Sequence, residues 1–275
     1  MLVANKLVSY LRNRSRAKYK DDFQGSSQFA RPMGLAYDAF FRQVHASYLF
    51  DWYMEIGCRT GAIFSFARGK TIAVDPYFLA KTNVIGSKSA LHVFQATSDE
   101  FFASNFLVKN DVKLSLSFLD GMHLFEFLLR DFINTERQSN PNGFIAIHDC
   151  CPTNHAMTTR DLNDLPPGEW TGDVWKLIPI LQEYRPDLRI AVLNCSRTGL
   201  VLVSNLSPDN DALTKNYDTI VKAYVDVDLE SFGVERFFSS FAYADAQRFL
   251  EDGAHFFGPI ALKPENALTP VFVTP

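Results

Sequence analysis

Cysteine is scarce in this chain of 275 residues, with only four present. Cys58, Cys150, Cys151 and Cys195 form no C-x-x-C pair and no disulfide-framework spacing, and the adjacent Cys150 and Cys151 can hardly bridge each other without strain. A reducing compartment therefore fits. Excess positive charge is also missing. The formal net charge is −4 and the pI is near 5.9, so no global field draws in DNA, RNA or an anionic membrane. Nucleic acid is excluded as the expected partner. No apolar run reaches the ~18 residues of a membrane span, and the first residues lack a signal-peptide core, so the expected setting is cytoplasmic. Neither an internal repeat nor a low-complexity tract is apparent.

What the chain does have is apolar mass: 47% of its residues are hydrophobic, with 25 Phe and 10 Tyr, enough for one packed α/β domain with decorated ends. Three stretches are expected: a helical cap over residues 1–50, a nucleotide-binding core over 51–205, and a helical extension over 206–275. The first twenty residues carry Lys6, Arg12, Arg14, Arg16, Lys18 and Lys20 around Leu2, Val3, Leu7, Val8, Tyr10 and Leu11. That pattern reads first as a solvated terminal helix, with a membrane-surface or partner-binding helix as the alternative. Residues 35–49 show helical spacing and lead into the first strand, with His45 a packed helix residue.

The stretch from Trp52 to Phe78 reads as strand, glycine turn, helix, strand and acidic stop. Its core is Glu55-x-Gly57-x-x-x-Gly61, with Asp75 closing the next strand 18 residues beyond Gly57. Glycines at such a turn let the backbone adopt positive φ and approach a ligand closely, and a strand-tip acid can accept two hydrogen bonds from a ribose diol. Downstream, Leu91–Gln95 forms a short third strand, and Thr97 or Ser98 caps the helix that follows. Lys113–Leu119 is a fourth strand ending in Asp120-Gly121-Met122-His123. A helix over Leu124–Glu136 places Leu124, Phe125, Leu128, Leu129, Phe132 and Ile133 on one face. An Asn140-Pro-Asn-Gly143 turn leads to a fifth strand ending in His148-Asp149. A helix begins near Thr171, and Arg189–Asn194 and Gly199–Ser204 form a hairpin through Cys-Ser-Arg-Thr. Helices return from Asp209 to Leu250, the last over Gly233–Leu250. In an open parallel sheet ligands bind outside the carboxyl ends of the strands. Glu55, Asp75, Asp120, His148 and Asp149 then share one edge.

Glu-x-Gly-x-x-x-Gly resembles the first motif of the class I S-adenosylmethionine (SAM) dependent methyltransferases. Leu-Asp-Gly-x-His, followed by x-Pro-x-Gly and Ile-x-Ile-His-Asp, resembles a branch related to bacterial sugar and natural-product O-methyltransferases. The resemblance implies a Rossmann-like, seven-stranded α/β sheet, mostly parallel, closed by a C-terminal antiparallel hairpin. It implies SAM as cofactor, with the turn of Glu55, Gly57 and Gly61 under its methionine part, Asp75 on the ribose, and Ser98 or Thr97 beside the adenine. Asp120 is expected to serve both cofactor and chemistry. A dinucleotide fingerprint would want glycine where Arg59 stands, which disfavours a nicotinamide-dependent oxidoreductase.

Methyl transfer to oxygen needs two positioned reactants and a base or metal. Asp120 and Asp149 bring two carboxylates together and suit Mg²⁺, although Cys150, where a third acid or amide would follow, is a poor ligand for a hard cation. Asn154 or a water could fill that place. The metal-free alternative makes His148 or His123 the general base. The expected function is methylation of a hydroxyl on a small polar acceptor, a sugar or glycosylated metabolite. The rival from another class is a non-catalytic SAM- or nucleotide-binding module that docks a partner. A homo-oligomer is left open.

Overall fold

The computed structural model describes residues 28–263; the basic first twenty residues and most of the Pro-containing tail lie outside the described residues. The strands are β1 (Trp52–Ile56), β2 (Lys70–Val74), β3 (Leu91–Phe94), β4 (Leu114–Leu119), β5 (Ser139–His148), β6 (Arg189–Leu193), β7 (Leu200–Ser204) and β8 (Tyr243–Ala244). The helices are α1 (Tyr37–Ser47), α2 (Ser98–Ala103), α3 (Phe106–Lys109), α4 (Phe125–Arg137), α5 (Leu177–Tyr184), α6 (Ala212–Tyr224), α7 (Leu229–Phe232), α8 (Val234–Ser239), α9 (Ala246–Glu251) and α10 (Gly253–Phe256). One sheet runs in the order β3-β2-β1-β4-β5-β7-β6-β8. β1 to β5 pair in parallel, while β7 runs antiparallel to both β5 and β6. The expected mostly parallel α/β sheet with its antiparallel hairpin is present. The added eighth strand, β8, pairs in parallel with β6.

Both faces of the sheet are covered, so its strands read as nearly continuous apolar runs, as in β4, Leu114-Ser-Leu-Ser-Phe-Leu119, buried throughout. Alternate residues serve opposite cores. Met54, Ile56, Ile72 and Leu119 share one core with α4, whose Phe125, Leu128, Leu129 and Phe132 are buried as the helical spacing predicts. Tyr53, Ala73, Leu116 and Phe118 face the other core with Phe40, Phe41 and Val44 of α1.

Local departures have physical causes. No helix follows the glycine turn; a single 3₁₀ turn, Phe64–Phe66, occupies the crossover. Only residues 62–69 separate Gly61 from β2, and Gly69 must return against the Phe50 carbonyl, which a Cβ would meet at 1.8 Å. The Asn140–Gly143 turn is absorbed into β5 as a looped-out irregularity: Leu114 pairs with Ser139 and Leu116 with Phe144. The helix expected from Thr171 starts later, as a 3₁₀ turn at Val174–Lys176 leading into α5, because Gly172 takes φ +54 and both Thr171 and Gly172 donate to the Met157 carbonyl. The single helix expected over Gly233–Leu250 is broken into α8, β8 and α9. The Asp245 side chain caps α9 by accepting from the Arg248 amide, and the Asn194 amide N–H bonds the Ala244 carbonyl.

Candidate active site

The strand order puts the tips of β3, β2, β1, β4 and β5 in one row, and a cavity of about 770 Å³ opens above them. Its wall includes Glu55, Gly57, Asp75, Ser98, Asp120, His123, His148 and Asp149. Of the expected cofactor-binding and catalytic residues, Gly61 alone does not line it. Gly61 belongs to the same turn, at φ +78, but its α-carbon is turned toward Val84.

The turn half of the cavity is built on close backbone approach. Gly57 has φ +88, and a Cβ there would stand 1.9 Å from the Asp120 carbonyl oxygen. Three strand tips are tied, β1 to β2 by the Gly57 amide to the Val74 carbonyl at 2.9 Å and β4 to β1 by the Asp120 amide to the Ile56 carbonyl at 2.9 Å. Glu55 is buried and accepts from the Tyr53 hydroxyl at 2.7 Å; burial pushes its carboxyl up to about 8. Asp75 accepts from the Arg59 amide at 2.8 Å and the Tyr77 amide at 2.6 Å, one on each oxygen. Burial raises its pKa. Each oxygen keeps a lone pair for a further donor. Thr97 takes the capping role: its hydroxyl accepts from the Glu100 amide while Glu100 reaches back to the Thr97 amide. Ser98 lines the cavity beside it.

Across β4 and β5 lies a charged cluster. His123 Nε2 is 3.5 Å from Asp120 Oδ1 and 3.4 Å from Asp149 Oδ2. His148 Nδ1 is 3.3 Å from Asp120 Oδ1 and 3.2 Å from Asp149 Oδ1. His123 Nδ1 lies 2.7 Å from the Trp170 carbonyl, an acceptor only, so this nitrogen carries the proton and neutral His123 turns the Nε2 lone pair toward the carboxylates. Burial acts to lower the His148 pKa, but the charges of Asp149 and Asp120 outweigh it and push His148 up to about 9. His123 is raised as well: burial opposes the shift, and the hydrogen bond to Asp120 with the Asp149 charge overcomes it. Burial acts to raise Asp120, yet the His148 charge and the hydrogen bonds of both histidines hold it well below the usual carboxylate range.

Ligand atoms of Asp120, His123 and Asp149 lie within 4.8 Å of one another, the one such set among the described residues. Cys150 does not extend it. Its thiol is buried and directed at the His148 and Val174 carbonyls, at 3.6 Å each. Asn154 is likewise elsewhere, accepting from the Met157 amide at 3.0 Å. Trp175 and Lys176, farther along the same loop and helix start, are buried away from the cavity, and the Lys176 ammonium pairs with Asp173 at 2.7 Å.

Several wall residues escaped the sequence reading. Tyr37, from the cap helix α1, packs its ring against His148, with centroids 4.0 Å apart and planes inclined at 35°. Thr198, in the hairpin turn, donates to Asp149 Oδ1 at 2.5 Å and lies 3.3 Å from His148 Nε2. Glu169 and Arg197 pair at 2.7 Å on the same wall. Their partners lie 28 to 111 residues away along the chain, beyond any local pattern.

No family model matches this chain, and no curated protein matches it. Among solved structures it is similar to the MycE methyltransferase from the mycinamycin biosynthetic pathway, in complex with Mg, SAH and mycinamycin VI, at 16% identity and a TM-score of 0.43, over 63% of this chain and 49% of that one. An O-methyltransferase from Bacillus cereus in complex with SAH aligns at 10% identity and a TM-score of 0.43, over 72% of this chain and 90% of that one. The N-methyltransferase NodS from Bradyrhizobium japonicum aligns at 14% identity and 0.39, over 60% and 90%. This chain spans about half the length of MycE. Likenesses this distant leave the reading of the site to its own residues.

Proposed function

We propose that the chain is a SAM-dependent methyltransferase acting on a hydroxyl of a small polar molecule, with a sugar or glycosylated metabolite as the favoured acceptor class. One observation carries the reading: a single cavity holds both the Glu55, Gly57 and Asp75 seat and the Asp120, His123, His148 and Asp149 cluster. The seat fits the cofactor, because Gly57 presents bare backbone to the cavity wall beside Glu55 and Asp75 keeps acceptor capacity for a ribose diol. When bound, SAM supplies an electrophilic methyl group on a sulfonium.

The chain's own residues handle the acceptor proton. His123 Nε2 is the base, since its Nδ1–H is committed to the Trp170 carbonyl. Asp120 and Asp149 stabilise the imidazolium that His123 becomes. His148, held at both ring nitrogens and covered by Tyr37, stays a fixed cation that orients the two carboxylates. The donors Asp120, His123 and Asp149 also fit a divalent cation. An imidazole among them favours a metal softer than Mg²⁺, and such an ion would supply Lewis acidity that lowers the hydroxyl pKa.

A cytoplasmic setting accompanies this reading, the four cysteines being free thiols. Among the described residues no helix is long and apolar enough to cross a membrane. Calorimetry with SAM tests the assignment. Wild type should bind, and Asp149→Ala should keep that affinity while losing turnover on hydroxylated acceptors. Absence of SAM binding refutes the reading; binding without turnover on any such acceptor returns the protein to a binding module. Turnover with and without chelator, then with added Mn²⁺ or Mg²⁺, decides the metal.

A further inference from the structure

The cap helix brings to the cavity a hydroxyl that the mechanism above leaves idle. Tyr37 opens α1, and its ring lies against His148 and 6.2 Å from Phe118, centroid to centroid. The segment before it is pinned to the hairpin. The Gly34 amide donates to the Asn194 carbonyl at 2.7 Å, the Ser196 amide donates to the Leu35 carbonyl at 3.1 Å, and Ala36 forms a bridge with Ser196. Gly34 makes this approach possible, since a Cβ there would stand 2.2 Å from Asn194 Oδ1. Main-chain bonds therefore place the phenol before any ligand arrives, which lowers the cost of using it in binding.

Tyr37 lines the cavity, and among the described residues its hydroxyl has no hydrogen-bond partner. Burial, helped by the charges of Asp120 and Asp149, raises its pKa, so the phenol keeps its proton. Its neighbours on this wall offer lone pairs or have spent their protons: Asp120 and Asp149 only accept, His123 presents Nε2, and the Thr198 hydroxyl donates to Asp149. The base and the phenol also stand apart. His123 meets Asp149 at Oδ2, whereas His148, on which Tyr37 lies, meets it at Oδ1. We propose that the Tyr37 hydroxyl is a specificity-determining donor that binds a second, non-reacting hydroxyl oxygen of the acceptor, so that the site selects a polyhydroxylated ring over one lacking that oxygen. The inference rests on the reading of His123 as the base of a methyltransferase. The reacting oxygen gives its proton to His123 and needs a lone pair for the methyl group, and a further donor on it would blunt the attack. An acceptor without the second oxygen would seal the phenol from water with its proton unpaired, which is costly.

The test follows S-adenosylhomocysteine release from SAM with the methyl glycosides of glucose, galactose, mannose and rhamnose as acceptors. It is repeated with the mono-deoxy analogues of the best of them. Tyr37→Phe keeps the ring on His148 and removes only the hydroxyl. It should lower kcat/KM about tenfold, chiefly through the acceptor KM, while calorimetric affinity for SAM stays unchanged. Among the analogues that still react, one should be about tenfold poorer with wild type and lose nothing further with Tyr37→Phe, while the others lose about tenfold again. A Tyr37 that merely packs would lower turnover of every analogue alike. Equal kcat/KM in the two proteins, or a loss of one size on all analogues, overturns the proposal while the methyltransferase reading stands. Methylation of none of the four glycosides removes the sugar class and the proposal together, leaving the cofactor assignment to SAM binding. Failure of wild type to bind SAM overturns both readings.

Discussion

Gly57→Ala is the substitution that most directly probes how the cavity is made. The new methyl group would stand 1.9 Å from the Asp120 carbonyl oxygen, so about 1.5 Å of separation has to be found to reach ordinary contact. The carbonyl cannot simply retreat, because the Asp120 amide is bonded to Ile56 on the strand that carries Gly57. The φ of +88 adds roughly 1–2 kcal/mol for a residue with a Cβ. With the steric term, the expected loss is about 2–4 kcal/mol, or a fall in melting temperature on the order of 5–15 °C for a domain of this size. The chemistry should suffer more than the fold, since displacing a catalytic carboxylate by about 1 Å costs about a hundredfold in rate. Gly61→Ala is the control. Its φ is also positive, but its Cβ meets the movable Val84 Cγ1 at 2.5 Å, outside the cavity wall. It should lose stability comparable to the backbone term alone and keep most of its turnover. Thermal unfolding, SAM calorimetry and single-turnover rates on both variants decide the matter. A Gly57→Ala protein that melts with wild type and binds SAM equally would refute the close-approach account, as would equal catalytic losses in the two variants.

Thr198→Val removes the proton donated to Asp149 and should lower kcat about tenfold at unchanged SAM affinity, read by steady-state kinetics; equal kcat would detach the hairpin from the site. The pair Arg185–Glu136, bonded at 2.6 and 2.9 Å with both side chains buried, should make Glu136→Ala lose about 2–3 kcal/mol in urea unfolding, because the buried guanidinium then keeps only Asp187 as its counter-charge. His45 is buried neutral, its pKa pushed down to about 3 by burial and by Lys88 and Arg68. The unfolded chain then binds a proton near pH 6.5 that the folded chain refuses, so stability is intact above that pH and falls by up to about 5 kcal/mol as pH drops toward 3. His45→Phe should flatten this slope between pH 6.5 and 4 in denaturant titrations, and parallel slopes for the two proteins would contradict it.

How much of this was legible along the chain follows from the range of the interactions involved. The tips of the parallel strands were readable because each is a local pattern: an apolar run, then Asp75, Asp120 or His148-Asp149, with the side of the sheet following from strand polarity. The spacing of Phe125, Leu128, Leu129 and Phe132 likewise carried α4. The crossover after Gly61 misled because its apolar residues, Ile63 and Phe64, promised a helix that the chain length before Gly69 does not allow. β8 has two residues and owes its existence to the edge of β6, which no local signal reveals. Tyr37 looked like one more apolar-face residue of a cap helix; its position over His148 depends on how α1 lies across the sheet.

The site's chemistry turns on a choice made by main-chain geometry. The His123 ring could present either nitrogen to Asp120 and Asp149, and the Trp170 carbonyl at 2.7 Å decides which. That carbonyl is held in turn. The Trp170 indole donates to the Thr159 carbonyl at 2.8 Å, and Thr171 and Gly172 bond the Met157 carbonyl. Gly172 lies so close to the His123 carbonyl that a Cβ would meet it at 1.7 Å. Arg160, bound to Glu126 on α4 and to Asp173, fastens the loop containing all of these to the helix that follows His123. A change at Arg160, which is not among the residues lining the cavity, should therefore act through the orientation of His123. Arg160→Met keeps the apolar stem and removes the fork. It should shift the acid limb of the rate profile with little effect on SAM affinity, because the Trp170 carbonyl would no longer hold the His123 Nδ1 proton in place. An unchanged pH profile in that variant would mean that the ring is oriented by the carboxylates alone.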